Sequence, residues 1–207
     1  MKLVDMPVYD YLKILESDAP APGGGSVSAL SGAQGAALVS MVCRLTIGKE
    51  KYKEYEEICV EVQNNMKKIY DELYAGVDKD TDAFNLVAAA YKMPKETDEQ
   101  KAERSAAIRK ANVGATEVPF HTVELCLEGL REMKKMVGKF NMNSASDFGV
   151  GADSFKLGAR GAWLNVKINL PGVKDEELQK KFAKAYDMVK EAEEIAEGIY
   201  KEIEENL

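Results

Sequence analysis

Three carboxylates crowd the segment Val77-Asp78-Lys79-Asp80-Thr81-Asp82, and helical spacing singles out one of them. Leu73, Val77, Asp80, Phe84, Val87 and Tyr91 recur at i, i+4, i+7, i+11, i+14 and i+18, so Asp80 falls inside an apolar stripe. Asp78 and Asp82 point elsewhere and can be solvated. A carboxylate on a core-facing stripe is expensive unless it is paired or protonated. Burial raises its pKa toward the range that suits a general base. The position also fits a capping or salt-bridged aspartate near Gly76. A calcium loop is excluded, because Ala83 and Ala89 stand where that loop needs glycine and glutamate.

Other polar groups concentrate in two places. Asn141, Asn143, Ser146 and Asp147 lie within one loop-like stretch, and Asn165 and Asn169 form an i, i+4 amide pair on a largely apolar segment. Buried amides must be satisfied, so these groups either cap helices or grip a polar ligand. His121, the only histidine, follows Pro119 and precedes Glu124. It has no second histidine for a metal site and no serine–acid arrangement around it, and reads as structural or exposed. The inventory points to acid–base chemistry and positioning, with no metal.

A third feature is the run from Ala19 to Tyr52. Pro20 and Pro22 stiffen its approach, Gly23-Gly24-Gly25 release it, and Ser26 opens a stretch rich in Ala, Gly, Ser, Val and Leu. Ser28, Gly32, Ala36 and Ser40 stack on one helical face, with Ala29, Ala33 and Ala37 beside them. Such small residues let a neighbouring backbone approach closely; Gly32 and Gly35 otherwise cost a helix roughly 1 kcal/mol each. Neither a P-loop nor a dinucleotide fingerprint is present. The glycine turn still offers free backbone N–H groups to an anion or a polar ring, or simply makes a tight turn.

The elements that position these residues are helical. The 207 residues carry 45% hydrophobic and 30% charged side chains, and this composition, tilted towards helix, describes a soluble globular protein. A net charge of −7 argues against a sequence-independent nucleic-acid partner. The three cysteines lack a CxxC pair and read as reduced core residues of a cytoplasmic protein. No signal peptide is evident, and polar residues interrupt Val27 to Leu45, so a buried helix is expected there and not a membrane span.

In chain order, the pattern predicts a short helix capped by Asp5, with Pro7 in its first turn and Val8, Leu12 and Leu15 on one face. A helix follows from about Ser26 to Ile47, ending at Gly48. A long one runs from Lys49 to Tyr91 with a kink at Gly76. The next is opened by the capping box Thr97–Gln100 and broken or kinked at Pro119, and its apolar face includes Ala102, Ala106, Ile108 and Val113. Another leads from the Ser144–Asp147 region towards Leu170, where Trp163–Leu170 also alternates like a strand. A final helix spans Asp175 to Asn206 with Leu178, Phe182, Tyr186, Val189 and Ile195 inward. The expectation is one all-α domain over residues 1–207, a bundle of five to seven helices.

Motifs then add what periodicity lacks. PAPGGGSVSALSGAQGAALVSMV, IGKEKY, VDKDTDAF, VPFHTVE, NMNSASD and GAWLNVKINLPGV occur in this order. Together they resemble the cyclodeaminase/cyclohydrolase family of folate enzymes, which includes the C-terminal domain of formimidoyltransferase-cyclodeaminase and stand-alone methenyltetrahydrofolate cyclohydrolases. The resemblance implies that domain's all-helical fold and a homodimer with folate near the subunit interface. It implies a catalytic aspartate at Asp80 and substrate contacts from Gly23, Gly24, Gly25, Ser26, Asn141, Ser146, Asp147 and Asn165. Lys49, with Lys51 and Lys53, either attracts the glutamate tail of folate or forms a solvated face.

The expected reaction is hydrolysis of 5,10-methenyl-tetrahydrofolate to 10-formyl-tetrahydrofolate by an aspartate base, with the folate as substrate and no cofactor. The alternative is a cyclodeaminase releasing ammonia from 5-formimino-tetrahydrofolate. A remoter one is a non-catalytic helical interaction protein whose small-residue face is only a dimer seam.

Overall fold

The computed structural model describes residues 2–207 as seven α-helices joined by short loops and 3₁₀ turns, with no strand among the described residues. The helices are α1 (Val8–Leu15), α2 (Gly24–Thr46), α3 (Glu56–Lys92), α4 (Asp98–Met136), α5 (Ala145–Asn169), α6 (Glu176–Ala183) and α7 (Ala185–Glu205). The alternating stretch Trp163–Leu170 is helical through Asn169, as its lack of a partner strand requires.

Helix α2 is the central element, packed between α3 and α5. Its buried positions include Ser28, Ala29, Ser31, Gly32, Ala33, Gly35 and Ala36. The glycines are there for proximity. A Cβ on Gly35 would stand 2.9 Å from the Gly151 carbonyl oxygen of α5, and one on Gly158 of α5 would stand 2.9 Å from the Ser28 carbonyl oxygen. Serine hydroxyls inside this seam bond back to their own helix, Ser28 to the Gly24 carbonyl at 2.6 Å and Ser31 to Val27 at 2.8 Å. Burial therefore leaves no polar group orphaned there. Larger side chains fill the remaining core, among them Met66, Ile69, Leu73, Leu127, Leu130, Phe148 and Phe155, all at most 1% exposed.

Several helix details differ from expectation. Gly48, at φ +73°, ends α2 as its position suggests, but a 3₁₀ turn over Glu50–Tyr55 delays the start of α3 to Glu56. Helix α3 runs through Gly76 without interruption. That glycine instead lets α2 come close, since a Cβ there would meet the Ala29 Cβ at 3.3 Å. Ala102 and Ala106 are exposed, because the first turns of α4 extend past the helices that would cover them. The C-terminal segment is two helices, α6 and α7, separated at Lys184; Tyr186 is exposed and leans on Trp163, 5.8 Å between ring centres.

Helix α4 passes through Pro119 unbroken. The proline removes the N–H that would bond the Ala115 carbonyl. Asn169 Nδ2 reaches from the end of α5 to that carbonyl at 2.7 Å and replaces the missing donor.

The face of helix α1 that carries Val8 and Leu12 is turned to solvent. Val8 and Leu12 are 75% and 52% exposed, and Tyr11 is its buried residue. Asp5 lies in a preceding 3₁₀ turn, and Pro7 is the N-cap of α1. The 3₁₀ turn that precedes it, Leu3–Asp5, is tied to α3 by the Leu3 N–H to Asp78 Oδ1 at 2.7 Å and by the Tyr74 hydroxyl to the Val4 carbonyl at 3.2 Å.

Candidate active site

The site forms where the first turn of α2 meets the middle of α3 and the last turns of α5. Helices α2 and α3 run antiparallel: Gly32 faces Leu73, Ala29 faces Gly76, and Gly25 faces Asp80. Leu73 and Val77 are at most 1% exposed, whereas Phe84 and Tyr91 are 39% and 55% exposed. The apolar stripe of α3 thus emerges into solvent just beyond Asp80, and the carboxylate stands at the mouth of the core.

Gly25 allows this placement. A Cβ on it would collide with the Asp80 carboxylate, whose oxygens lie against the bare α-carbon. Ser26, fully buried, places Oγ 2.8 Å from the Val77 carbonyl, 3.2 Å from Asp80 Oδ2 and 3.3 Å from Thr81 Oγ1. Burial pushes the Asp80 pKa above the usual carboxylate value, while hydrogen bonds from the Ser26 hydroxyl and backbone N–H pull it back. The free N–H groups and positive dipole end of α2 act in the same direction as Ser26. The result is a carboxylate that can ionise and still hold a proton, which is what a general base requires.

Asn165 completes one wall. Its Nδ2 donates to the Gly161 carbonyl at 2.9 Å, and a Cβ on Gly24 would stand 3.4 Å from that nitrogen. Gly24, Gly25, Ser26, Asp80 and Asn165 are therefore brought together. Gly23 precedes them at the N-cap of α2, where a Cβ would touch nothing within 4 Å.

Lys49, Asn141, Ser146 and Asp147 are not brought to Asp80 within one chain. Helices α2 and α5 also run antiparallel, so the first turn of α5 lies beside the last turn of α2. The length of α2 puts roughly 30 Å between its ends. Asn141 is engaged there by its own hydrogen bonds: its backbone N–H to Thr46 Oγ1 at 3.0 Å, Nδ2 to the Leu45 carbonyl at 3.3 Å, and Oδ1 accepting from the Tyr52 hydroxyl at 2.9 Å. It holds the chain onto α2. Ser146 and Lys49 are exposed, and Asp147 is half-buried. His121 lies between Glu72 at 2.6 Å and Glu124 at 3.2 Å, an interhelical contact on the surface.

Sequence reasoning missed Tyr11. Its hydroxyl is buried without a hydrogen-bond partner among the described residues, and burial together with the nearby Asp80 charge raises its pKa. The signal was obscured because the apolar pattern of α1 points at Val8 and Leu12. A separate cavity of about 700 Å³ opens farther along the α2–α3 seam between Ser40, Arg44, Asn64, Lys67 and Tyr70. Its carboxylate, Asp71, is paired with Lys67 at 2.9 Å. Among the described residues no group of three His, Cys, Asp or Glu side chains is arranged to hold a metal ion.

Comparison with known proteins adds chemistry to this geometry. The profile of the formiminotransferase-cyclodeaminase family matches residues 7–194. The chain is 40% identical, over 198 residues and 95% of both chains, to a methenyltetrahydrofolate cyclohydrolase of Methylorubrum extorquens. It is 34% identical over 178 residues to the formimidoyltransferase-cyclodeaminase of Gallus gallus, covering 86% of this chain and 33% of that protein. Its fold matches the crystal structure of a formiminotetrahydrofolate cyclodeaminase from Thermotoga maritima with a TM-score of 0.79, at 26% identity and covering 97% and 95% of the two chains.

Proposed function

This chain belongs to the formiminotransferase-cyclodeaminase family, and on that premise we propose that it is a methenyltetrahydrofolate cyclohydrolase with Asp80 as general base. The observation that carries the reading is the Asp80 carboxylate itself, held at the mouth of the core against Gly25 and Ser26 with its pKa raised by burial. The 40% identity to a cyclohydrolase of matching length favours this reaction.

The chemistry asks little more of the protein than a base and a binding wall. In 5,10-methenyl-tetrahydrofolate the bridging carbon is already cationic, so the substrate supplies its own electrophile and the reading includes no further cofactor. A water oxygen bonds to that carbon, the C=N π pair returns to nitrogen, and the water proton passes to Asp80. The N5–C bond of the adduct then breaks, N5 takes the proton back from Asp80, and the remaining hydroxyl proton leaves as the formyl C=O forms. The glycine turn lets the flat ring approach backbone, and Asn165 offers its amide to the ring edge.

A second reading, cyclodeamination of 5-formimino-tetrahydrofolate, is favoured by the likeness to the Thermotoga maritima structure. There N10 attacks the carbon of the protonated formimino group, Asp80 takes the N10 proton and returns it to the departing nitrogen, and that nitrogen leaves as ammonia as the methenyl cation forms. Supplying purified protein with each substrate, and following methenyl absorbance and ammonia, separates the two. Loss of absorbance without ammonia is the expected result. Asp80→Asn should bind folate and lose most turnover, and near-wild-type turnover would remove Asp80 from the base role.

The reading includes a homodimer. What supports it is the outer face of α5, where Val150, Leu157, Leu164 and Ile168 are 56%, 57%, 65% and 76% exposed. Val150 and Leu164 are equidistant from Leu157, so two antiparallel copies of α5 can pair them about a twofold axis at Leu157. In that register Ser146 and Asp147 of a second copy approach Asn165, which would restore them, and Lys49 near them, to the folate site. The three cysteines are free thiols, in keeping with a proposed cytoplasmic location. Helix α2, long and apolar enough to cross a membrane, is mostly buried here, in keeping with a core role.

A further inference from the structure

We propose that Phe84 is the ring platform of the Asp80 site: it stacks on the p-aminobenzoyl ring of the folate and so fixes which way round the substrate lies. The proposal rests on the reading of Asp80 as the base of a folate enzyme. Phe84 stands one turn beyond Asp80 on the same face of α3, which puts their β-carbons about 5–6 Å apart. Side chains on a helix lean towards its N-terminus, so a residue in this position covers the turn that carries the carboxylate. Its ring is 39% exposed, although Leu73 and Val77 of the same stripe are buried, and it stacks on no other aromatic ring among the described residues. Farther along the stripe, Tyr91 is already covered. The Arg104 guanidinium lies 5.6 Å from its ring centre and donates to its backbone carbonyl at 3.2 Å. Phe84 is left as an open aromatic face beside the base.

The substrate supplies what covers it. The carbon that takes up water is shared by N5 of the pteridine and by N10, which carries the p-aminobenzoyl ring, so a ring flanks it on each side. With one water between that carbon and Asp80, both rings lie beside the carboxylate. The two sides of Asp80 differ in chemistry. Towards α2 and α5 stand the backbone of Gly24 and the amide of Asn165, polar groups suited to the nitrogen- and oxygen-bearing edge of the pteridine. Towards the end of α3 stands Phe84, which offers no hydrogen bond and presents a flat apolar face. That face matches the benzoyl ring in the offset or tilted packing that aromatic pairs prefer. The pteridine therefore points at Asn165, and the glutamate tail leaves over α3.

Phe84→Ala should raise KM about 3- to 15-fold with kcat within about twofold, the range expected when one aromatic pair is lost. Phe84→Tyr keeps the ring and should stay close to wild type in both. Leu86→Ala, exposed on another face of α3, should match wild type. Two inhibitors identify the ring. Inhibition by p-aminobenzoyl-glutamate should weaken in Phe84→Ala by the same factor as KM, and inhibition by 6-methyl-tetrahydropterin, which lacks that ring, should be equal in the two proteins. A Phe84→Ala enzyme with wild-type KM overturns the proposal, as does p-aminobenzoyl-glutamate that acts equally, or not at all, on the two proteins. Weakened tetrahydropterin inhibition would turn the substrate round and overturn it too. A lower mass of Phe84→Ala by light scattering would assign the ring to a subunit contact instead. These outcomes are read against an active wild type and leave the function itself standing. A wild type inert toward both folate substrates would overturn the two together.

Discussion

The Ser26 hydroxyl is shared between the Val77 carbonyl at 2.8 Å and Asp80 Oδ2 at 3.2 Å. It ties the base to the first turn of α2 and opposes the effect of burial on its pKa. Activity that needs ionised Asp80 should rise with pH along a limb set by that raised pKa. Ser26→Ala removes one of the groups that favour the carboxylate, so the limb should move to higher pH. A pH profile of kcat/KM for both proteins checks this. A shift to lower pH would mean that the hydroxyl gives its proton wholly to Val77 and accepts from protonated Asp80.

The same raised pKa has a stability consequence. For a carboxyl whose folded pKa lies above its ordinary value of 3.8, the stabilisation is fully present below that value and is lost as pH rises through the folded pKa. At neutral pH the ionised, part-buried group is then a burden. Asp80→Asn should unfold at the same temperature as wild type or higher at pH 7, and the difference should shrink in acid. Thermal unfolding at the two pH values measures it, and a variant clearly destabilised at pH 7 would contradict the cause assigned to the shift.

Within the glycine triplet the positions are not equivalent. Gly25→Ala drives a Cβ into the Asp80 carboxylate, whereas Gly23→Ala meets nothing within 4 Å and has an ordinary φ of −137°. The first should cost about 1–3 kcal/mol of stability, typical of overpacking, and most of the turnover. The second should be close to wild type in both. Parallel unfolding and rate measurements on the two variants decide whether closeness or mere flexibility is what the turn provides.

Leu157 marks the centre of the proposed α5 seam. Leu157→Lys would place two like charges on the proposed twofold axis and should convert the proposed dimer to monomer, with unchanged far-ultraviolet circular dichroism. Light scattering reads the mass. A variant that stays dimeric would move the interface elsewhere.

Much of this was legible in the residue pattern. Leu73, Val77 and Asp80 share a helical face because 3.6-residue periodicity is a local property, and the small residues of α2 announced close packing that Gly35 and Gly158 realise. The position of Asp80 at the exit of the stripe was not legible, since Phe84 and Tyr91 are apolar and yet exposed. Nor was the separation of Asn141, Ser146 and Asp147 from Asp80, which follows from helix length and antiparallel order. Tyr11 was hidden because an eight-residue helix on the outer surface buries one side chain, and periodicity does not say which.

Pro119 and Asn169 are separated by half a helix, a loop and all of α5, yet they repair a single hydrogen-bond ladder. Residue 169 performs from outside the work of the amide that residue 119 lacks. The continuity of α4 is thus a tertiary property. As an isolated segment it would lack that bond and be weakened at the proline. Secondary structure in this part of the chain is completed by a tertiary contact.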